Sequence, residues 1–237
     1  FWKTKNDKYI QVTHSNFNYS KHETDFVDHP NLNAYMPIPE IKGHKTNVVI
    51  YPDRAKGKYY FLDHFSKEIL IPDQLLELKN KKNELIFKRK DNILPSRIVT
   101  GIKILNSNNE FLPCEMSLGV FHSKRPPKRF HWGIVNQSLN SKLIINTLSN
   151  IYGEPYNAKI CLRLYSQFTN KIIEKLLDWE KISEDLKSAC LNLSEFFDKD
   201  ELEHNNYMYF SLFSEYGGFI CFSTLEKLGS ITIEHCF

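Results

Sequence analysis

The clearest hydrophobic pattern lies between Tyr207 and Phe237, where three apolar runs are separated by glycines. Tyr207–Phe213 leads to Gly217-Gly218, Phe219–Leu225 leads to Gly229, and Ser230–His235 follows. Short runs rich in Phe, Tyr, Ile and Thr, bounded by turn residues, predict consecutive antiparallel strands. Similar runs at Phe130–Asn136, Ser141–Leu148 and Ala158–Tyr165 predict three more. In the first half, Lys45–Tyr51, Lys58–Leu62, Glu68–Ile71 and Arg97–Leu105 read the same way, with Pro52-Asp53 and Pro72-Asp73 as breaks.

Two stretches carry a mixed pattern. Leu75, Leu76 and Leu78 are spaced to start a short helix, whereas Leu85-Ile86-Phe87 looks extended. Between Asn170 and Asp198, Ile172, Ile173, Leu176, Leu177 and Trp179 fit one face of a helix. Lys187–Leu193 alternates like a strand, and Ser194–Phe197 reads as a helical turn capped by Ser194. The expected fold is all-β: an antiparallel β-sandwich, one large or two consecutive, with one or two short helices near Leu75–Leu78 and Ser194–Phe197.

Charge adds a division to this picture. Net charge is +3, yet residues 1–130 hold 22 Lys+Arg against 14 Asp+Glu (net +8) and residues 131–237 hold 9 against 14 (net −5). The proline-broken basic loop Ser123–Arg129 lies at the change. It marks a boundary between a basic β-rich unit, 1–129, and an acidic β-sandwich unit, 130–237; one continuous domain is the alternative. Hydrophobic residues at 41% and charged residues at 25% fit a globular chain, and no apolar run reaches the roughly 18 residues of a membrane helix. The five cysteines are odd in number and form no C-x-x-C pair, which points to reduced thiols and a cytoplasmic setting. The start, Phe1-Trp2-Lys3, has neither an initiator Met nor a signal-peptide pattern.

The order of runs in the second half carries a resemblance. Ala158–Tyr165, then Lys171-Ile172-Ile173, then Leu191-Asn192-Leu193-Ser194-Glu195-Phe196-Phe197, then Tyr207–Leu212 and Phe219–Thr224 resemble a bacterial immunoglobulin-like β-sandwich module over residues 130–237. The acidic, helix-like stretch Leu176–Leu186 departs from that pattern. The resemblance implies a binding, spacing or accessory role and supplies no catalytic residues.

Candidate chemistry is sparse. No phosphate loop, serine nucleophile elbow or nucleotide fingerprint occurs. Cys236 stands beside His235, but neighbours on a strand point to opposite faces and are poorly placed for proton transfer. Nine histidines include His14, His131 and His235, which separate strands could bring together as a zinc or iron site, although no metal-ligand spacing is present. The loop cations Lys124, Arg125, Lys128 and Arg129, followed by Phe130, His131 and Trp132, could hold a polyanion while the aromatics stack on a base or sugar. A pI near 8.5 argues against a dedicated nucleic-acid binder. Aromatics at 14% suit a sandwich that holds sugars or a protein surface on exposed rings. The leading expectation is therefore a non-catalytic binding module for a glycan or protein, without a cofactor. The alternatives are a β-sandwich or jelly-roll metalloenzyme using the three histidines, and a single-stranded nucleic-acid binder using the loop.

Overall fold

The computed structural model describes residues 2–3, 10–11, 29–51, 57–62, 69–70, 74–78, 83–94, 98–106, 113–166, 171–198, 201–202 and 207–236. Strands β1 (Trp2–Lys3) and β2 (Ile10–Gln11) pair as a ribbon. The first half continues with β3 (His29–Pro30), β4 (Ala34–Pro37), β5 (His44–Ile50), β6 (Tyr59–Phe61), β7 (Ile69–Leu70) and β8 (Leu76–Glu77). It ends with β9 (Glu84–Arg89), β10 (Ile93–Leu94), β11 (Val99–Asn106) and β12 (Cys114–Gly119). The second half holds β13 (Phe130–Asn136), β14 (Lys142–Thr147), β15 (Lys159–Tyr165), β16 (Ile172–Asp178), β17 (Ser188–Asn192), β18 (Tyr207–Phe213), β19 (Phe219–Lys227) and β20 (Ser230–His235). Helices α1 (Ser149–Tyr152) and α2 (Trp179–Ile182) are single turns.

The molecule is an all-β antiparallel sandwich built from four-stranded sheets. Two sheets come from the first half, β4-β9-β6-β7 and β12-β11-β5-β8. Two come from the second, the outer sheet β13-β18-β15-β16 and the central sheet β17-β14-β19-β20. Alternation sets which side chains turn inward: Leu85 and Phe87 on β9, Cys114, Met116 and Leu118 on β12, Ile160, Leu162 and Leu164 on β15.

The central sheet is buried on both faces. Ile144, Ile220, Phe222, Ile231 and Ile233 join an apolar cluster with the first-half sheets. Leu143, Ile145, Phe219, Cys221 and Leu191 join a second cluster with the outer sheet. That is why Phe219-Ile220-Cys221-Phe222 shows no polar alternation: odd positions face one core and even positions the other.

Three local expectations are corrected. Leu76–Glu77 is strand β8, paired with Asn47–Val48, and Leu78 N–H donates to the Thr46 carbonyl at 3.0 Å. A free edge on β5 thus gives this short apolar run backbone partners, and periodicity over so few residues does not separate helix from strand. Ile172–Leu177 likewise form strand β16, with helix only from Trp179. The turn near Ser194 is a 3₁₀ turn over Leu193–Glu195 with Asn192 at its N-cap, so Ser194 lies inside it and does not cap it. Among the described residues, no helix is long and apolar enough to cross a membrane.

Candidate functional site

The outer sheet has one dry face and one open face. Val135, Ile160, Leu162, Leu164, Met208, Phe210 and Leu212 turn inward to the second core cluster. By the same period of two, the intervening residues point outward. The register sets these in rows across β13, β18, β15 and β16. One row runs Phe130, Phe213, Cys161, Leu176; the next Trp132, Ser211, Arg163, Glu174; the next Ile134, Tyr209, Tyr165, Ile172. Tyr207 lies beyond, opposite Asn136.

A half-buried sheet normally carries polar residues on its wet side. Here that side holds seven large apolar residues that are 41% to 62% exposed: Phe130, Trp132, Tyr207, Tyr209, Phe213, Ile172 and Leu176. With strands about 4.8 Å apart and about 6.8 Å between same-face neighbours, the face spans roughly 14 Å by 20 Å. Its polar groups are concentrated in the middle row. Arg163 Nε donates to Glu174 Oε2 at 2.6 Å, and the Tyr165 and Ser211 hydroxyls lie 3.0 Å apart. The Arg163 guanidinium holds the Glu174 carboxyl below its usual range.

The basic loop lies at one end of this face, and its cations are mostly turned to the protein's own carbonyls. Arg125 Nη1 donates to the Val120 carbonyl at 3.2 Å and stacks over the Phe121 ring at 4.6 Å. Lys128 Nζ donates to the Cys236 carbonyl at 3.3 Å, and Arg129 Nε to the Glu215 carbonyl at 3.2 Å. The loop is seated on the β18–β19 turn, where Lys128 N–H donates to the Gly217 carbonyl. Gly217 has φ +53° and a Cβ there would stand 2.6 Å from Pro127 Cβ, so only glycine admits this contact. Lys124 makes no such bond among the described residues. Trp132 is in the middle row of the aromatic face, on the edge strand β13, two residues along from Phe130.

The three histidines fall in different settings. His14 lies outside the described residues. His131 is 1% exposed and faces the space between the outer and central sheets, where its Nε2–H donates to the Phe219 carbonyl at 2.9 Å. Its buried Nδ1 has no hydrogen-bond partner. Burial, helped by the nearby Lys128 charge, pushes its pKa down to about 4. His235 is half-buried on β20, opposite Phe222 in the central sheet. Among the described residues, no three His, Cys, Asp or Glu side chains are grouped to hold a metal ion. All five cysteines are free thiols; Cys221 and Cys236 adjoin, with Cys236 N–H donating to the Cys221 carbonyl at 2.8 Å.

A second polar region joins the two halves. Asn146, fully buried on β14, donates through Nδ2 to the Ile38 and Asn83 carbonyls, both at 3.0 Å. Next to it, Glu84 Oε2 accepts from Asn150 Nδ2 at 2.6 Å, while Glu84 Oε1 and Asn146 Oδ1 are buried without partners. Burial raises the Glu84 carboxyl to about 7, against the opposing pull of Asn150 and Lys187. An open cleft of about 540 Å³ lies nearby, lined by Glu40, Lys42, Lys142, Asp185 and Cys190 among others. Its charges are of both signs and Asp185 is tied into the fold, accepting from Lys187 N–H, Ser188 N–H and Asn83 Nδ2.

Of the aromatic residues singled out beside the basic loop, Phe130 and Trp132 belong to the open aromatic face; Trp179 is fully buried against Phe219. Sequence reasoning missed Tyr207, Tyr209, Phe213, Ile172 and Leu176 as members of one surface. The signal was present in Tyr207–Phe213, where both alternating sets of side chains are apolar. No protein-family model matches the chain, and no curated protein is significantly similar to it.

Proposed function

We propose that this chain is a non-catalytic binding module that holds a protein partner on the open face of the outer sheet. One observation carries the reading: seven large apolar side chains share an exposed face whose middle row runs from Trp132 across Ser211 to the Arg163–Glu174 pair. Patches of this kind mark interaction sites, and Trp, Tyr and Arg are the residues that concentrate binding energy in protein interfaces. The aliphatic ends, Ile172 and Leu176, favour a protein over a sugar, because a pyranose gains from stacking on rings and little from isolated branched chains. A carbohydrate is the second reading, favoured by the middle row, where Trp132 adjoins Ser211 and shares the row with the Arg163 and Glu174 polar groups.

The test immobilises the wild-type chain and a Trp132→Ser/Tyr209→Ser double variant, and compares what each retains from extract of the cells that make it. A polypeptide held by the wild type and lost by the variant, then bound again as purified protein, supports the reading. Equal capture by both overturns it. Binding of the wild type on a glycan array, lost in the same variant, moves the assignment to the second reading.

A further inference from the structure

The outer sheet ends at β16, and the hydrogen-bond alternation shows what that edge offers. Ser166 N–H donates to the Lys171 carbonyl and Trp179 N–H to the Ala158 carbonyl, bracketing the β15–β16 ladder. In an antiparallel pair, hydrogen-bonded and non-hydrogen-bonded positions alternate. Counting from either end, the pairs Leu164–Ile173, Leu162–Lys175 and Ile160–Leu177 exchange bonds. The N–H and C=O groups of Ile172, Glu174 and Leu176 therefore point away from β15, and among the described residues nothing bonds to them.

Sheet edges are normally blunted by proline, bulges or free charges. The β16 edge has no proline, and its register with β15 is unbroken over seven pairs. Both of its central charges are engaged elsewhere: Glu174 with Arg163, and Lys175 with Glu201 at 3.7 Å and over the Phe197 ring. Ile172 and Leu176, each 62% exposed, stand at the ends of the two apolar rows that cross the face.

We propose that β16 is a strand-addition site, which takes up an extended segment of the protein partner as a fifth strand of the outer sheet. This rests on the protein-binding reading above and specifies how the partner is held. Main-chain bonds to Ile172, Glu174 and Leu176 supply affinity, and the rows set the side chains. The incoming strand carries apolar residues opposite Ile172 and Leu176, extending both rows. Between them it carries Lys or Arg opposite Glu174, continuing the alternation Arg163, Glu174, cation in the middle row. A net charge of −5 on residues 131–237, from 9 Lys+Arg and 14 Asp+Glu, favours such a basic segment. A second copy of this chain fits less well, because stacking Ile172 on its neighbour's Leu176 sets Glu174 against Glu174, and like charges directly opposite destabilise a strand pair.

The probe is a fluorescein-labelled synthetic peptide, Thr-Thr-Val-Thr-Lys-Thr-Val-Thr-Thr, followed by fluorescence anisotropy with the whole chain. Saturable binding is expected, weakened about tenfold or more by Leu176→Lys, the step that 1.4 kcal/mol represents. Glu174→Lys should lose the Lys-centred peptide and gain its Glu-centred counterpart. N-methylation of the peptide amides that face β16 should abolish binding. Thermal melts of both variants confirm that the fold is kept. Absence of saturable binding overturns the strand-addition site. Binding that survives N-methylation but is lost in Trp132→Ser also overturns it, while leaving the open face as the binding surface. A wild-type dimer in sedimentation that Leu176→Lys dissociates gives the edge to a second copy and overturns the partner assignment.

Discussion

The central and outer sheets are both four-stranded, antiparallel and rich in apolar residues, yet they use those residues differently. In the central sheet, apolar residues on both faces are consumed by the fold: odd positions of β19 fill one core and even positions the other. In the outer sheet, Met208, Phe210 and Leu212 fill a core while Tyr207, Tyr209 and Phe213 on the same strand remain 41% to 46% exposed. Stability accounts for every aromatic in the first sheet, whereas in the second Phe210 is buried and Phe130, Trp132, Tyr207, Tyr209 and Phe213 stay exposed. The surplus on the open face is what points to a partner, since exposing large rings brings the isolated chain no burial energy.

The largest effect that separates the two sheets is a core deletion. Phe222→Ala empties a fully buried site on the central sheet and should cost about 3–5 kcal/mol of unfolding free energy in urea titrations. Tyr209→Ser, an aromatic loss on the outer sheet's open face, should change stability by no more than about 0.5 kcal/mol. Equal losses for the two would show that the open face is closed in solution and would remove the contrast.

The next effect uses pH, because each side of the central sheet carries one buried titrating group. Toward the first half, Glu84 keeps its proton up to about pH 7, whereas the unfolded chain releases it near 4.5. Stability from this group is therefore complete below 4.5 and declines as pH rises to about 7, by about 3 kcal/mol. Toward the outer sheet, His131 stays neutral down to about pH 4, whereas the unfolded side chain takes a proton near 6.5. Its contribution is complete above 6.5 and declines as pH falls to about 4, by a similar amount, about 3 kcal/mol. Between 4.5 and 6.5 the two slopes are opposite and cancel. Glu84→Gln should then show stability rising with pH across that window, and His131→Gln should show it falling, in denaturant midpoints measured at each pH. Two flat profiles would contradict the burial of both groups.

On the open face the expected loss is in binding. Trp132→Ala should reduce affinity for the captured partner by about 2 kcal/mol or more, as the loss of a tryptophan hot spot does, with little change in thermal midpoint. A loss no larger than that of the loop variant Lys124→Ala would shift the centre of binding from the sheet to the loop.

The strands of the second half were readable because each is a compact apolar run with a turn signal beside it, as at Gly217-Gly218 and Gly229. Strand β4, Ala34–Pro37, and strand β12, Cys114–Gly119, were not marked: Pro37 and Pro39 punctuate the first, and Glu115 and Ser117 dilute the second. Ile172–Leu177 reads as helical because doublets of apolar residues fit both periods; pairing with β15 decides it. For the open face, sequence located Phe130 and Trp132 but not the other members, since Tyr209 on β18, Arg163 on β15 and Ile172 on β16 join them on one face only through the register of four strands. The loop cations look available as charges along the chain, yet three of them end on the backbone carbonyls of Val120, Cys236 and Glu215, the last two brought to the loop only by the fold.

The smallest effect concerns the Arg163–Glu174 pair, and it separates structure from recognition most finely. Both side chains are about half exposed, at 49% and 52%, and salt screens exposed pairs strongly. Glu174→Gln keeps the shape and an acceptor for Arg163 Nε but removes the charge. Its thermal midpoint should match the wild type at physiological salt, because exposed pairs add little to folding. Its affinity for a basic strand should fall, and the difference from wild type should shrink as salt is raised, because the lost term is a screened attraction to the partner's cation. A drop in thermal midpoint with unchanged binding would make the pair a structural clamp between β15 and β16, and the middle row of the open face would lose its role in recognition.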